Sequence, residues 1–353
     1  IPLYKQTIKQ NLEDNIPTPI YKVHLHCFGC VFSRQGGIVH RKLLTMRHEN
    51  STEVTEFILL GLISDPSIEI VLFLVFLIIY TATVTCNVLL IVAVKSDNRL
   101  HSSMYVFLSS LSFIDICYTT IIVPKMLVDF LVSRKRIPYT VCMVQIYFYL
   151  LLGQSECILL AFMAYDRYIA ICLPLRYNTF MSIPNCTRMI AVAWMTGGVV
   201  STVDIVFQHR LTFCGPNVID HFFCEAPSLM QLACGDISDN NIVMLVGSTL
   251  LIFFPVSLIL FSYGQIVICL VRIRSGRLKS FSTCLSHLIV VVLFFGTITF
   301  MYMRPRRPVK DATDKMVSVF YTIVTPMLNP LIYSLRNKVV KQSLRRLGRC
   351  IFI

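Results

Sequence analysis

Long apolar stretches alternate with short polar segments along most of this chain. Seven of the stretches have roughly 20 residues or more, and a helix that rises 1.5 Å per residue crosses a ~30 Å hydrocarbon core in about that length. We predict an all-α membrane protein with a seven-transmembrane helix bundle. The predicted spans are residues 70–94, 104–132, 142–164, 189–207, 241–271, 281–303 and 316–335.

Composition indicates lipid as the solvent of this chain. Of its 353 residues, 55% are hydrophobic and only 14% are charged, and the mean hydropathy is +0.69. Ordinary soluble domains carry about 25% charged residues. A chain this apolar is therefore expected to fold inside a membrane.

The net charge of +13 is distributed unevenly. With the N-terminus outside, the four cytoplasmic segments hold fifteen basic and two acidic residues, which is the whole net charge. Membrane proteins show this positive-inside asymmetry, so we predict an outer N-terminus and an inner C-terminus. A nucleic-acid partner requires a basic face on a soluble module, and the sequence predicts none.

The beginning of the chain differs in character from the rest. Residues 1–45 lack apolar periodicity and a signal-peptide core, and we predict a disordered or non-native extension there. Residues 46–69 form the predicted extracellular N-terminus, with an N-x-Thr glycosylation acceptor at Asn50 and an amphipathic segment 54–62. The seven-helix bundle is predicted at 70–336, and a short amphipathic cytoplasmic helix and tail at 337–353.

Four cysteines fall on the outer side of this topology, where the environment is oxidising. Cys142 lies at the outer end of the third span, and Cys214, Cys224 and Cys234 lie in the long loop after the fourth. Four cysteines allow three pairings, among which sequence spacing does not choose. The sequence has no Gly-rich phosphate loop and no His pair at metal spacing, so we predict no enzyme, no catalytic residue and no metal site.

Several motifs stand in order on the predicted spans. Residues 55–61 read Thr-Glu-Phe-Ile-Leu-Leu-Gly, and Cys142 lies 25 residues before Arg167 in the run Met-Ala-Tyr-Asp-Arg-Tyr at 163–168. Lys-Ser-Phe-Ser-Thr-Cys-Leu-Ser-His follows at 279–287, and Pro-Met-Leu-Asn-Pro-Leu-Ile-Tyr at 326–333. From Met46 onward the chain resembles the rhodopsin-like (class A) G-protein-coupled receptors, and among them the olfactory (odorant) receptors. With Tyr165, the Met-Ala-Tyr-Asp-Arg-Tyr run resembles that of the tetrapod-type (class II) branch of these receptors.

The resemblance implies a function, partners and a disulfide pattern. It implies a plasma-membrane receptor that binds small, mostly apolar volatile odorants and activates a heterotrimeric G protein of the stimulatory olfactory type, which raises cyclic AMP. Odorant, G protein and membrane lipid are the implied partners. It also implies bridges from Cys142 to Cys224 and from Cys214 to Cys234.

The resemblance places the ligand in the outer half of the bundle, between spans three, five and six. A lining of this kind is mainly apolar with a few hydroxyls and amides, and suits a small neutral ligand. We expect no charged side chain at this depth, which disfavours amine and carboxylate ligands. The implied ligand-binding residues are Tyr149, Leu150, Gly153, Gln154, Gly247, Ser248, Leu251, Ile298, Thr299, Tyr302, Val319 and Thr322.

An activation switch is implied at the cytoplasmic end of the bundle. Arg167 beside Asp166 can form a charge pair that holds the inactive packing, and its release opens a groove for a partner helix. The alternative is that Arg167 is a snorkelling anchor and the tyrosines are interfacial. The implied switch and G-protein contact residues are Asp166, Arg167, Tyr168, Tyr263, His287, Phe295, Asn329, Pro330 and Tyr333.

Ionisable residues also lie deep within two spans. Asp115 and Glu156 are expected to face the bundle interior, because an isolated charge there costs roughly 2.5 to 3.5 kcal/mol on insertion scales. With Asn87 and Asn329 they can hold a sodium ion, share a proton, or form a neutral hydrogen-bonded network. The sequence leaves these three alternatives open.

The chain departs from the family pattern at several positions. Ser103 replaces a Pro, and Phe295 replaces a Tyr, which removes a hydroxyl from the base of the implied ligand site. These departures leave a non-functional receptor copy as one alternative. A related seven-helix receptor for a non-odorant ligand is a second alternative. A transporter is disfavoured because we find no internal repeat.

Overall fold

A computed structural model describes residues 54–63, 65–272, 277–302, 312–336 and 338–351. These residues belong to one compact unit, Ser51–Ile353. The predicted extension at 1–45 and the glycosylation acceptor Asn50 lie outside the described residues, and so does the side chain of Tyr302.

The predicted bundle of seven long apolar helices is confirmed. The helices extend beyond several of the apolar stretches because hydropathy marks the lipid-embedded part, whereas hydrogen bonding continues the helix into the interface. The helices are α1 (Pro66–Ser96), α2 (Ser103–Leu131), α3 (Tyr139–Cys172), α4 (Ile183–Gln208), α5 (Ser238–Arg272), α6 (Arg277–Tyr302) and α7 (312–336), and a short helix α8 (Lys338–Ile351) follows.

The most buried helices are α2 and α3, which supply much of the hydrophobic core. Apolar side chains elsewhere point away from the protein: Ile78 on α1 is 68% exposed, Met195 on α4 69% and Phe254 on α5 70%. A soluble protein rarely exposes so much apolar surface. Lipid is the solvent that accommodates it.

Close packing of α3 against α4 depends on a glycine. A Cβ added to Gly197 would lie 2.5 Å from Ser155 Oγ and 2.9 Å from the carbonyl oxygen of Leu151. Real Cβ atoms do not approach other atoms so closely, so α3 and α4 can touch at this point only because residue 197 has no side chain.

A small sheet lies at the disulfide-bearing end of the bundle, which the charge distribution predicts to be the outer end. Its strands are β1 (Glu56–Leu59), β2 (Arg136–Pro138) and β3 (Val218–Ile219), in the order β2-β1-β3. β1 is antiparallel to β2, with Phe57 opposite Ile137, and parallel to β3, with Leu59 opposite Ile219. The sequence predicted amphipathic character for 54–62 but no strand; the buried side chains of Phe57 and Leu59 show that its period is two.

Helix α7 is irregular in its middle. It consists of Ala312–Val319, a π-helical turn Phe320–Val324 and Thr325–Arg336. Pro330 lies inside the last part, where it cannot donate a helix hydrogen bond. Single π-helical turns like Phe320–Val324 are frequent near functional sites.

Candidate functional site

The long loop between α4 and α5 is tied to the outer end of the bundle. Cys142 on α3 is bonded to Cys224, and Cys214 to Cys234, the pairs that the resemblance implies. Gln145 on α3 reinforces this attachment: its Oε1 accepts from the Cys224 amide at 2.9 Å, and its Nε2 donates to the Ile121 carbonyl at 2.9 Å. The loop is thereby fixed over α2 and α3.

A cavity lies between α2, α3, α4, α5, α6 and α7. It encloses about 790 Å³ of atom-free space, including its open mouth, and Ala226 from the long loop contributes to its wall. Its wall is mainly apolar with a few polar side chains, as in small-molecule sites. The implied ligand-binding residues that line it are Tyr149, Leu150, Gly153, Gln154, Ser248, Leu251 and Ile298.

Four other implied residues with described surroundings are absent from this lining. Thr299 is exposed on α6, and the Cα of Gly247 faces α4, where an added Cβ would contact Val200. Val319 packs against the hydrophobic core, and Thr322 is buried and donates to the Ser318 carbonyl at 2.6 Å. A helix turns about 100° per residue, so a neighbour of a lining residue commonly faces elsewhere.

The resemblance missed the contribution of α4. Asp204, Phe207 and Gln208 at its outer end line the cavity, together with Tyr118 of α2 and Tyr321 of α7. The expectation that no charged side chain lies at this depth is therefore wrong, because Asp204 is in the wall. The sequence does contain a signal for this position. Asp204 is an acidic residue inside the predicted span 189–207, and an ionisable residue within a membrane span is by default a candidate functional residue.

Asp204 belongs to a hydrogen-bonded chain that joins α3 to α4. Ser201 Oγ donates to Gln154 Oε1 at 3.0 Å, and Gln154 Nε2 donates to Asp204 Oδ2 at 3.1 Å. Across the cavity, the hydroxyls of Tyr149 and Tyr321 lie 2.8 Å apart, within hydrogen-bond distance. The cavity thus combines apolar walls with polar groups held in fixed orientations.

Asp166 is the centre of a buried polar cluster at the opposite end of the bundle. Its Oδ2 accepts from Arg167 at 2.9 Å, and its Oδ1 accepts from Ser103 Oγ at 2.8 Å and from Tyr177 at 3.0 Å. Burial and the neighbouring Asp166 raise the pKa of Tyr177 to about 12, so its hydroxyl stays protonated and can donate. The predicted Asp166–Arg167 pair is thus present together with two further donors.

Polar contacts also join α3, α5 and α6 near this end. His287 Nε2 lies 3.1 Å from the Leu160 carbonyl, and its Nδ1 lies 2.8 Å from the Tyr263 hydroxyl. The ring therefore donates from Nε2 and accepts at Nδ1. The hydroxyl of Tyr333 is buried without a hydrogen-bond partner in the described part of the chain.

Comparison with known proteins decides the family. A model of the olfactory receptor family matches residues 75–349. The chain is 48% identical over 310 residues to human olfactory receptor 13C2, covering 86% of this chain and 98% of that one. It is 46% identical over 303 residues to mouse olfactory receptor 8U3, covering 85% and 95%.

The chain belongs to the olfactory receptor family. It is therefore a multi-pass receptor of the plasma membrane and not an enzyme. The resemblance drawn from the sequence motifs is confirmed.

Polar side chains in the middle of the receptor surround Asp115. Asn329 Nδ2 donates to both Asp115 oxygens, at 3.0 and 3.2 Å, and Asn87 Nδ2 donates to the Pro326 carbonyl at 3.2 Å. Glu156 Oε1, Asn87 Oδ1 and Asn329 Oδ1 are buried and have no hydrogen-bond partner among the described residues. Three acceptors without donors can take water, a proton or a monovalent cation.

The remaining switch residues pack without polar partners in the described part of the receptor. Tyr168 meets Phe261 of α5 edge-on, with ring centres 6.0 Å apart. Phe295 is buried against Phe294 at 5.4 Å and is not part of the cavity wall. The expected loss of a hydroxyl from the base of the ligand site therefore concerns a residue outside the cavity wall.

Proposed function

We propose that this receptor binds a small, mostly apolar volatile odorant in the outer cavity and activates a stimulatory olfactory-type G protein, which raises cyclic AMP. The observation that carries the proposal is the cavity, whose wall contains seven of the residues that family resemblance assigns to the ligand. Its apolar residues supply burial, and its tyrosines and amides supply orientation.

The Asp166 cluster supports the proposed response to ligand. Arg167 is engaged by Asp166 and only 14% exposed, which keeps it from a cytoplasmic partner. A ligand that moves α5 and α6 relative to α3 would disturb the His287 bridge, because His287 contacts both α3 and α5. Arg167 then becomes free to contact the G protein.

A cyclic-AMP reporter screen against a chemically diverse odorant panel tests the proposal. Cells expressing the full chain and the olfactory G protein are compared with cells expressing Arg167→Ala or the control Arg176→Ala, whose side chain is exposed. We expect Arg167→Ala to lower the odorant response at least about tenfold, as expected for loss of a desolvated charge contact. Arg176→Ala should respond like the natural chain at equal surface expression.

Two results would contradict this assignment. An odorant that raises cyclic AMP equally in the natural chain and in Arg167→Ala excludes the switch. A ligand response that appears only through another G-protein class excludes the stimulatory coupling.

The Asp115 centre supports a second proposal, that this receptor holds a sodium ion or a shared proton between α2, α3 and α7. The unpartnered oxygens of Glu156, Asn87 and Asn329 favour an added cation over a closed neutral network. Titration of the purified receptor with NaCl against choline chloride tests the ion. A melting temperature that rises with sodium in the natural chain but not in Asp115→Asn supports it, and identical curves reject it.

A further inference from the structure

Asp204 gives the outer cavity a negative charge, and we propose that this receptor is selective for small amines whose protonated nitrogen pairs with the Asp204 carboxylate. The inference deepens the proposed function and rests on the outer cavity being the ligand site. It names the chemical class of the ligand: one basic nitrogen on an apolar body.

Charge in the cavity wall is of one sign. Its lining contains Asp204 but no Lys, Arg or His among the described residues. The nearby Arg210 lies over the Phe207 ring at 4.8 Å, is exposed, and does not line the cavity. A cationic group entering this cavity therefore meets an acid without a competing base.

Several other acids of the described chain have protein cations beside them. Glu69 pairs with Lys135, Asp129 with Lys125, and Asp220 with Lys315 at 2.6 Å. Asp204 lies inside a membrane span and has no such partner among the described residues. Ionisable groups at this depth are costly and are retained where they serve a ligand, an ion or a proton.

The geometry leaves one carboxylate oxygen for the ligand. Ser201 fixes the Gln154 amide so that its Nε2 points at Asp204 Oδ2. Oδ1 has no hydrogen bond within the described residues, and a Cβ on Gly247 would lie 4.0 Å from it. Gly247 does not itself line the cavity, and its lack of a side chain leaves Oδ1 without a side-chain contact from that residue.

The rest of the wall suits the body of an amine. Tyr118 and Tyr149 pack with ring centres 5.5 Å apart and present aromatic surface to a hydrocarbon skeleton. Leu251, Ile252 and Ile298 supply apolar contact for a hydrocarbon skeleton. Aliphatic amines, like the Lys side chain with its pKa of about 10.4, are protonated at neutral pH, whereas a carboxylate ligand would be repelled.

Matched ligands separate charge from shape. We would use amine, alcohol and carboxylic acid on each of the hexyl, cyclohexylmethyl and phenylethyl skeletons, with binding to the full chain in lipid nanodiscs measured by thermal unfolding. At least one amine is expected to bind about tenfold or more tightly than the alcohol of the same skeleton, while the acid gives no shift.

Asp204→Asn tests the residue with little change of shape. Its amide oxygen can still accept from Gln154, so the α3–α4 contact is kept while the charge is removed. The amine preference should fall at least about tenfold in this variant. The control is Asp239→Asn, which removes an exposed acid at the start of α5 and should leave the preference unchanged.

The outcomes separate this inference from the proposed function. The inference is overturned if alcohols bind as tightly as amines, if amines bind Asp204→Asn and the natural chain equally, or if no compound binds up to about 1 mM. The same compounds are then given to cells with the cyclic-AMP reporter. An amine that binds through Asp204 without raising cyclic AMP contradicts the proposed coupling alone, and an active alcohol beside inactive amines contradicts the amine inference alone.

Discussion

Asp166 combines a residue that the sequence motif identifies with contacts that the motif does not contain. Arg167 is its neighbour in the chain, but Ser103 and Tyr177 reach it from α2 and from the short helix Tyr177–Phe180. Ser103 stands where the family usually carries Pro, which has no hydroxyl. A departure from the family pattern thus adds a donor to the buried carboxylate.

Removing the Ser103 hydroxyl is expected to weaken the inactive arrangement. Because a hydrogen bond to a charged group contributes about 1.5 to 3 kcal/mol, Ser103→Ala should raise ligand-independent cyclic AMP by about tenfold or more. The matched control is Ser102→Ala, because the Ser102 side chain makes no capping hydrogen bond. Basal reporter activity equal to that of the natural chain at equal surface expression would show that Ser103 does not hold the switch.

At the scale of elements, the contact between α3 and α4 positions Gln154 and Asp204 for the cavity. Gly197 permits this contact, and Ser155 Oγ donates to the Leu151 carbonyl at 2.7 Å beside it. The adjacent Gly198 has only Leu151 Cδ1 nearby, 3.9 Å from an added Cβ. Two neighbouring glycines therefore have different structural roles.

Gly197→Ala should separate α3 from α4, whereas Gly198→Ala should be tolerated. Inserting a methyl group into a tight contact costs roughly 1 to 3 kcal/mol. We expect a lower melting temperature and weaker odorant binding for Gly197→Ala in nanodiscs, with Gly198→Ala close to the natural chain. Equal melting temperatures for the two variants would rule out the close approach.

The elements differ in how far their sequence determines them. Each membrane helix was predicted from its own residues, because a 20-residue apolar stretch can satisfy its backbone in lipid only as a helix. Strand β1 was not, because its partners Arg136–Pro138 and Val218–Ile219 are distant in the chain. Pairing between distant segments has no local signal, and an apolar alternation over four residues fits helix and strand alike.

At the scale of the whole molecule, polar bridges join helices that are distant from one another in the chain. His287 joins α6 to the Leu160 carbonyl of α3 and to Tyr263 of α5. The Asp115–Asn329 contact joins α2 to α7. We expect a ligand in the outer cavity to act by rearranging these bridges.

Removing the His287 bridge is expected to shift the receptor toward its active state. His287→Leu eliminates two hydrogen bonds of about 0.5 to 1.5 kcal/mol each and keeps an apolar side chain in place, so basal cyclic AMP should rise about fivefold or more. Val292→Leu introduces the same residue at a lipid-facing position of α6, 62% exposed, and should have no effect. A fall in basal activity would indicate that the bridge belongs to the active state.

The sequence by itself determined the membrane class, the seven spans, the expected orientation and the family, because hydropathy, charge and short motifs are local properties of the chain. Family resemblance also identified seven of the eighteen residues that line the cavity. Only the tertiary structure brought Asp204 into that wall, Ser103 to Asp166, and β1 between its two partners. Each depends on which face of a helix or strand meets which neighbour, and packing among distant segments decides that.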